Sequence, residues 1–288
     1  MQGKTCLITG ASRGIGFHTA LNLAKQGAHV IIISHNQERC EQAAEKIKAQ
    51  AGHESVEYFT ADLSSLSQIR EISTIIHQDY NRLDVLVNNV GEWFRNRQES
   101  EDGIEMTLAL NHLGYFLLTG LLLDLLHQSP GARIINVTSD AHKRMMRMRF
   151  DDLEFNKSYR SFQAYAQSKL ANIYFTYTLA ERLNNSRITV NAVHPGLVRT
   201  GFYDDFGMMT PIMNLIASTF GKDAVEGADT PTYLASSSEV EGITGKYFID
   251  RKMVKSSPAS YDQAAAARLW EISEKMTDFS YPEINKDN

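Results

Sequence analysis

TCLITGASRGIG, residues 5–16, carries two signals in one short stretch. A β-branched, apolar run at 5–9 stops at Gly10, and a turn of small residues then leads through Gly14 and Gly16 into helix-forming sequence. A continuous rather than alternating apolar run suits a strand covered on both faces. Small residues let a backbone approach a pyrophosphate, and the helix that follows offers free N–H groups and a positive dipole end. A glycine turn that merely lets a helix pack on its strand is the plainer reading. In a first strand–turn–helix unit the nucleotide-binding reading outweighs it.

The same alternation continues along the chain. Strands are expected at 5–9, 29–34, 56–60, 85–88, 133–138, 188–193 and 247–249. Helices are expected at 14–26, 37–50, 66–80, 103–127, 162–184, 223–236 and, last, 261–276. This pattern implies right-handed βαβ crossovers. The expected fold is α/β: a single-domain, Rossmann-type, doubly wound parallel sheet with helices on both faces, spanning residues 1–288. In such a sheet ligands bind beyond the carboxyl ends of the strands, so the residues just after each strand carry the chemistry.

The chain has 288 residues, 43% of them hydrophobic, with no linker or repeat to divide it. A formal net charge of −5, without a basic stripe interleaved with aromatics, argues against nucleic acid as a partner. Cys6 and Cys40 imply neither a disulfide scaffold nor a metal site, and suit a reducing compartment. The start MQGKTCLITG lacks the pattern of a signal peptide. The apolar stretch LGYFLLTGLLLDLL is interrupted by Gly114, Gly120 and Asp124, and falls short of the roughly 20 residues of a membrane span. A cytoplasmic protein with no transmembrane anchor and no metal is expected.

Tyr165 and Lys169, in QAYAQSKLANIYF, stand four residues apart and so one turn apart on one helix face. An ammonium beside a phenol favours the phenolate and should draw the phenol pKa from about 10 towards neutrality. Such a hydroxyl can give a proton to a carbonyl oxygen or take one from an alcohol. By itself the pair also fits a half-buried ring beside a snorkelling lysine. In the same way Asn111 could be a solvent-facing helix residue, Ser139 a turn former and Asp62 a helix cap. Asn88 and Asn89 could satisfy strand-end backbone groups.

Taken in order, the pieces resemble the short-chain dehydrogenase/reductase family. Its Thr-Gly-x-x-x-Gly-x-Gly motif stands at residues 9–16, Asp62 follows the third strand in TADL, and NNVG (residues 88–91) follows the fourth. Val90 replaces the usual Ala. Asn111, Ser139, Tyr165, Lys169 and HPGLVRT (residues 194–200) complete the set, so the resemblance spans nearly the whole chain. It implies a catalytic group of Asn111, Ser139, Tyr165 and Lys169. Tyr165 would be the general acid or base, Lys169 would lower its pKa and reach the nicotinamide ribose, and Ser139 would hold the substrate oxygen. Asn111 would hold a water linking Lys169 to solvent. The cofactor would be bound by Gly10, Ser12, Arg13, Gly14, Ile15, Gly16, Ser34, His35, Asn36, Asp62, Leu63, Asn88, Val90 and Gly91. Tyr165, Lys169, Pro195, Gly196, Val198 and Thr200 would complete that set.

An NAD site usually places a carboxylate after the second strand, about 20 residues beyond the glycine turn. Here IIISHNQER offers Ser34, His35 and Asn36, while Arg13 and Arg39 could pair with a 2′-phosphate. NADP(H) is therefore favoured over NAD(H). His35 stands where NADP-dependent relatives often carry Arg.

LNHLGYFLLTGLLLDLL, RIINVTSDAHK and YAQSKLANIYFTYTLAERL resemble the retinol dehydrogenase-like branch. Ala171, where protochlorophyllide reductase has Cys, argues against that relative. The segment at about 201–221 reads as a lid whose Phe202, Tyr203, Phe206, Met208, Met209, Ile212 and Met213 suggest a lipophilic carbonyl or alcohol substrate. Trp93 and Phe94 could line the other side. The basic, Met-rich KRMMRMRF (143–150) could be a solvated loop with its apolar side chains folded back, one lip of the cleft, or a contact for an anionic surface. In this family the helices bearing Asn111 and Tyr165 commonly form a dimer interface, so a homodimer or homotetramer is one expectation. Two other readings remain at this point: a non-catalytic nucleotide sensor or scaffold, which would usually have lost the Tyr or Lys, and an epimerase or dehydratase, whose glycine pattern this chain lacks.

Overall fold

Side chains of the first strand part to opposite faces. In β1 (Thr5–Thr9), Leu7 enters one apolar core, and Cys6 and Ile8 enter the other. The neighbouring β2 (His29–Ser34) divides likewise, Ile31 and Ile33 from Val30 and Ile32. A strand with a core on each side must be apolar throughout, which is how these runs read in the sequence. The structure is a computed structural model and describes residues 1–196 and 223–282. The expected lid at 201–221, with Val198 and Thr200, lies outside the described residues.

Further strands are β3 (Val56–Thr60), β4 (Val85–Asn88), β5 (Arg133–Val137), β6 (Thr189–His194), β7 (Lys246–Ile249) and β8 (Lys252–Val254). They form one sheet in the order β3-β2-β1-β4-β5-β6-β7-β8. Every pair is parallel except β7–β8. The chain winds outward from β1 to β3 and then returns beside β1, so the crevice between β1 and β4 is the switch point where a nucleotide binds.

On one face lie α1 (Gly14–Lys25) and α2 (Gln37–Ala51), sealing Ile8, Ile32 and Val87. Against the other, Leu7, Ile31 and Leu86 pack under α3 (Leu66–Asp79) and the central helices. The stretch expected as one helix over 103–127 is broken into parts. A short α4 (Met106–Leu108) passes through a π turn (Ala109–Leu113) into α5 (Gly114–Leu121), and α6 (Leu123–His127) follows a kink at Leu122. Gly103, at φ +74°, precedes the helix rather than starting it.

The long α7 (Ser161–Arg182) carries Tyr165 and Lys169. The helix expected at 223–236 is two pieces, α8 (Ala224–Gly227) and α9 (Asp229–Ser236), and α10 (Gln263–Thr277) follows β8. KRMMRMRF folds back: Met145 and Met148 are buried with Leu170, Tyr174 and Leu269, leaving Met146 outside.

Away from the sheet, α5 and α7 are covered by α10 and the residues after it. Trp270 and Tyr281 meet the Phe116 ring at 5.0 and 4.9 Å, and the Tyr281 hydroxyl donates to the Phe116 carbonyl at 2.7 Å. Gly120 leaves the room that the Phe279 ring fills. Arg70 donates to the carbonyls of Thr277 and Asp278, tying down the end of α10.

Candidate active site

Helices α2, α3 and α10 begin with side-chain caps: Asn36 accepts from Arg39 N at 2.9 Å, Ser65 from Gln68 N at 3.2 Å and Asp262 from Ala265 N at 3.0 Å. Helix α1 has none. Arg13, at its N-cap, makes no capping bond, and no acidic residue lies in the first turn. Its N–H groups and dipole therefore remain for an outside anion. A methyl on Gly16 would stand 2.5 Å from both the Gly10 carbonyl oxygen and Asn89 Nδ2, so only glycine lets the turn close against β4. Asn89 locks that contact: its amide donates to the Thr9 carbonyl at 2.8 Å, and its N–H to Thr9 Oγ1 at 2.9 Å. This cradle fits the pyrophosphate of a dinucleotide.

No carboxylate stands at 34–36 beyond β2. Ser34 meets Ser12 Oγ at 3.0 Å, the Asn36 oxygen is spent as a cap, and His35 is exposed. Ser12, Arg13, Arg39 and Lys46 line one cleft between α1 and α2. Lys46 escaped the sequence reading, although it lies seven residues past Arg39 on the same helix face. Asp62 accepts from Ser64 N at 2.9 Å and from Ser64 Oγ at 2.8 Å, shaping the turn after β3, and Leu63 is buried. Asn88 faces inward, donating to Thr119 and Asn136, each at 2.9 Å. Gly196 follows Pro195 at φ +95°.

Beyond β5 the catalytic candidates converge. The Lys169 ammonium donates to the Val137 carbonyl at 3.4 Å and lies 5.6 and 5.9 Å from the ring centres of Tyr165 and Tyr115. Gly91 forms the other wall of its pocket, since a methyl there would stand 2.8 Å from Nζ. Thr138 Oγ1 donates to the Lys169 carbonyl at 3.1 Å, which fastens the end of β5 to this turn of α7 and brings Ser139 alongside. Ser139 Oγ accepts from Ala141 N at 3.2 Å, so its proton is left for an oxygen in the cleft. His142 holds the same turn from behind: Nδ1 donates to the Ser139 carbonyl at 2.7 Å and Nε2 accepts from Ser257 N at 3.0 Å. That pattern requires a neutral imidazole, and burial pulls its pKa down accordingly.

Asn111 sits in the π turn, fully buried. Its side chain exchanges two bonds with the Glu92 backbone, each at 2.9 Å, and donates to Ser168 Oγ at 3.0 Å. Ser168 Oγ in turn donates to the Tyr165 carbonyl at 2.8 Å. Wide turns of this kind are rare and cluster at functional positions. Tyr165 is nearly buried, its ring stacked on Trp93 at 5.7 Å and 15°, and Trp93 also meets Phe162 at 5.2 Å. Desolvation pulls the Lys169 pKa down to about 7.

A doubly wound sheet with an uncapped first helix, an open cation-lined cleft beyond β2 and a Tyr–Lys pair beyond β5 defines a nicotinamide-dependent oxidoreductase. The chain belongs to the short chain dehydrogenase family, matching it over residues 4–209. It is 42% identical to Retinol dehydrogenase 14 of Homo sapiens, across 96% of this chain and 87% of that one, which places it in the retinol dehydrogenase-like branch. Among solved structures, an uncharacterised protein from Mycobacterium Paratuberculosis superposes with a TM-score of 0.80 at 32% identity, covering 98% of this chain and 96% of its own. The Pseudomonas aeruginosa RhlG/NADP active-site complex superposes with a TM-score of 0.70 at 27% identity, over 90% and 97%. This protein is an oxidoreductase acting on CH–OH groups with NAD(P). No helix among the described residues is long and apolar enough to cross a membrane.

Proposed function

We propose that the protein transfers hydride between NADP(H) and a lipophilic ketone, aldehyde or alcohol, with Tyr165 as the general acid or base. The observation that carries this reading is the aromatic wall of Trp93 and Phe162 built directly against the Tyr165 ring. A polar substrate would lose its hydration at such a wall, whereas an apolar one gains by covering it. When bound, the nicotinamide supplies or accepts the hydride. Tyr165 delivers the proton to the carbonyl oxygen in reduction and removes it from the alcohol in oxidation. Ser139 donates to that same oxygen and stabilises the charge that develops on it. Lys169, held between Tyr165 and Tyr115, supplies the adjoining cation in its protonated form, which burial confines to pH below about 7 in the cofactor-free protein, and Asn111 anchors the route by which its proton is replaced. Assembly into a homodimer or homotetramer would use another surface than the α5/α7 face, which α10 and Tyr281 already occupy.

An NADPH-oxidation screen over carbonyls of graded hydrophobicity tests the substrate class. Retinoid and long-chain aldehydes are expected to show kcat/KM at least about tenfold above short water-soluble ones. Turnover confined to small polar carbonyls would overturn the reading.

Cofactor preference follows from Arg13, Arg39 and Lys46 around the cleft beyond β2. Reversing Arg13 and Arg39 together (Arg13→Glu, Arg39→Glu) is expected to weaken NADPH binding about 10- to 100-fold, the range of one or two charge-assisted hydrogen bonds, and NADH binding far less. Fluorescence titration of both nucleotides reads this directly. Equal binding of NADH and NADPH by the parent would refute the assignment.

A further inference from the structure

Behind Asn111 runs a second chain of buried polar groups that neither the sequence reading nor the family motifs bring in. Asn172 Nδ2 donates to the main-chain carbonyl of Asn111 at 2.8 Å. Asn172 Oδ1 lies 3.3 Å from His112 Nδ1, and His112 Nε2 lies 2.9 Å from Ser273 Oγ on α10. Asn111 and Asn172 are 0% exposed, His112 and Ser273 1%. The directions from Asn111 to His112 follow from the acceptors. A carbonyl only accepts, so the amide end of Asn172 faces Asn111 and its oxygen faces His112. That oxygen also only accepts, so neutral His112 carries its proton on Nδ1, and the one Ser273 hydroxyl hydrogen is shared between His112 Nε2 and the Leu269 carbonyl, 2.8 Å away. Burial pulls the His112 pKa down to about 4, which keeps the ring in this neutral form.

We propose that Asn172 is a positioning residue for the proton relay: it aims the Asn111 carbonyl within the π turn, and His112 and Ser273 stop it from rotating. The π turn widens the ring of backbone bonds, with Gly114 N–H reaching back to the Ala109 carbonyl, so the helix by itself fixes its carbonyls less firmly there. A side chain from α7, three residues past Lys169, then does the fixing. The unit that orients the relay thus begins on α10, outside the Tyr–Lys pocket. The inference rests on the reading of Asn111 as the anchor of that relay.

The test compares variants at saturating NADPH, with kcat expressed per folded molecule from nucleotide titration. Asn172→Leu keeps the volume and removes the amide. It is expected to lower kcat about 10- to 30-fold, to leave the KM for NADPH within twofold, and to enlarge the solvent deuterium isotope effect as proton resupply becomes limiting. His112→Phe keeps the packing against Phe116 and Phe175 but frees Asn172, and should show the same isotope change with a loss of about threefold to tenfold; it serves if Asn172→Leu does not fold. Ile76→Ala, on the buried face of α3, supplies a control of lowered stability with unchanged kcat. Loss of stability alone, with kcat per folded molecule and the isotope effect unmoved in both variants, overturns the positioning role. If the parent itself shows no solvent deuterium isotope effect, the relay reading falls; if it shows one that neither variant changes, only the role of Asn172 does.

Discussion

Tyr165→Phe is expected to lower kcat about 10³-fold while NADPH binds within roughly threefold of the parent, because a positioned general acid contributes on that scale. The substitution deletes one hydroxyl and keeps the ring, so the stack on Trp93 at 5.7 Å and the packing around it persist. Binding and chemistry should therefore separate cleanly: nucleotide titration and the melting profile stay near the parent's, and turnover collapses. A variant that keeps more than a tenth of the parental kcat would show that another group moves the proton, and the mechanism would have to be rebuilt.

Lys169→Met should abolish most turnover and, in the cofactor-free protein, raise stability. Lys169 is 3% exposed, with the Val137 carbonyl as its ammonium's hydrogen-bond acceptor and the faces of two tyrosine rings nearby. Desolvation brings its pKa from 10.5 to about 7. The sign follows from proton counting. Between pH 7 and 10.5 the unfolded chain holds a proton that the folded one has released, so the contribution to stability rises with pH across that window. Below pH 7 the whole burial cost is present, at most ~5 kcal/mol at 1.36 kcal/mol per pKa unit. Methionine removes this cost and still fills the pocket, although the Val137 carbonyl loses the lysine as a donor, the Tyr115 hydroxyl being directed mainly to the Val90 carbonyl at 2.7 Å. Urea unfolding at pH 6, 7.5 and 9 should find the variant more stable than the parent, with the gap narrowing upward. A variant less stable than the parent at pH 6 would contradict this account of the lysine.

Much of the architecture was legible because burial on both sides leaves a plain mark. The bounds expected for β1, β2, β3 and β4 are those observed: β1, β2 and β4 are largely buried apolar runs stopped by a glycine, a polar turn or an Asn, and the half-exposed edge strand β3 reads from its Val, Tyr, Phe and Thr. The edge strand β8 was missed because all three of its residues are exposed, so it has neither an apolar run nor an alternation to read. The π turn was hidden for another reason: one inserted residue leaves the 3.6-residue pattern of 103–127 nearly intact, and only the hydrogen bonds reveal it. The Tyr–Lys spacing and the glycine turn were visible as local patterns. Lys46, His112, Asn172 and Ser273 were not, because their roles depend on partners from other parts of the chain. Asn89 satisfies a strand-end backbone group, as its place after β4 allows, by bonding to Thr9, while Asn88 turns into the interior.

The aromatic seal over α5 also sets an order of events during synthesis. Phe116 leaves the ribosome long before Trp270 and Tyr281, the rings that cover it. At about 5–20 residues per second the interval is roughly ten to thirty seconds. Through that time the nucleotide-binding half can assemble, yet the helix carrying Asn111 presents a greasy flank to whatever is nearby. Until the last helix arrives, that face lacks the cover that Trp270 and Tyr281 give it.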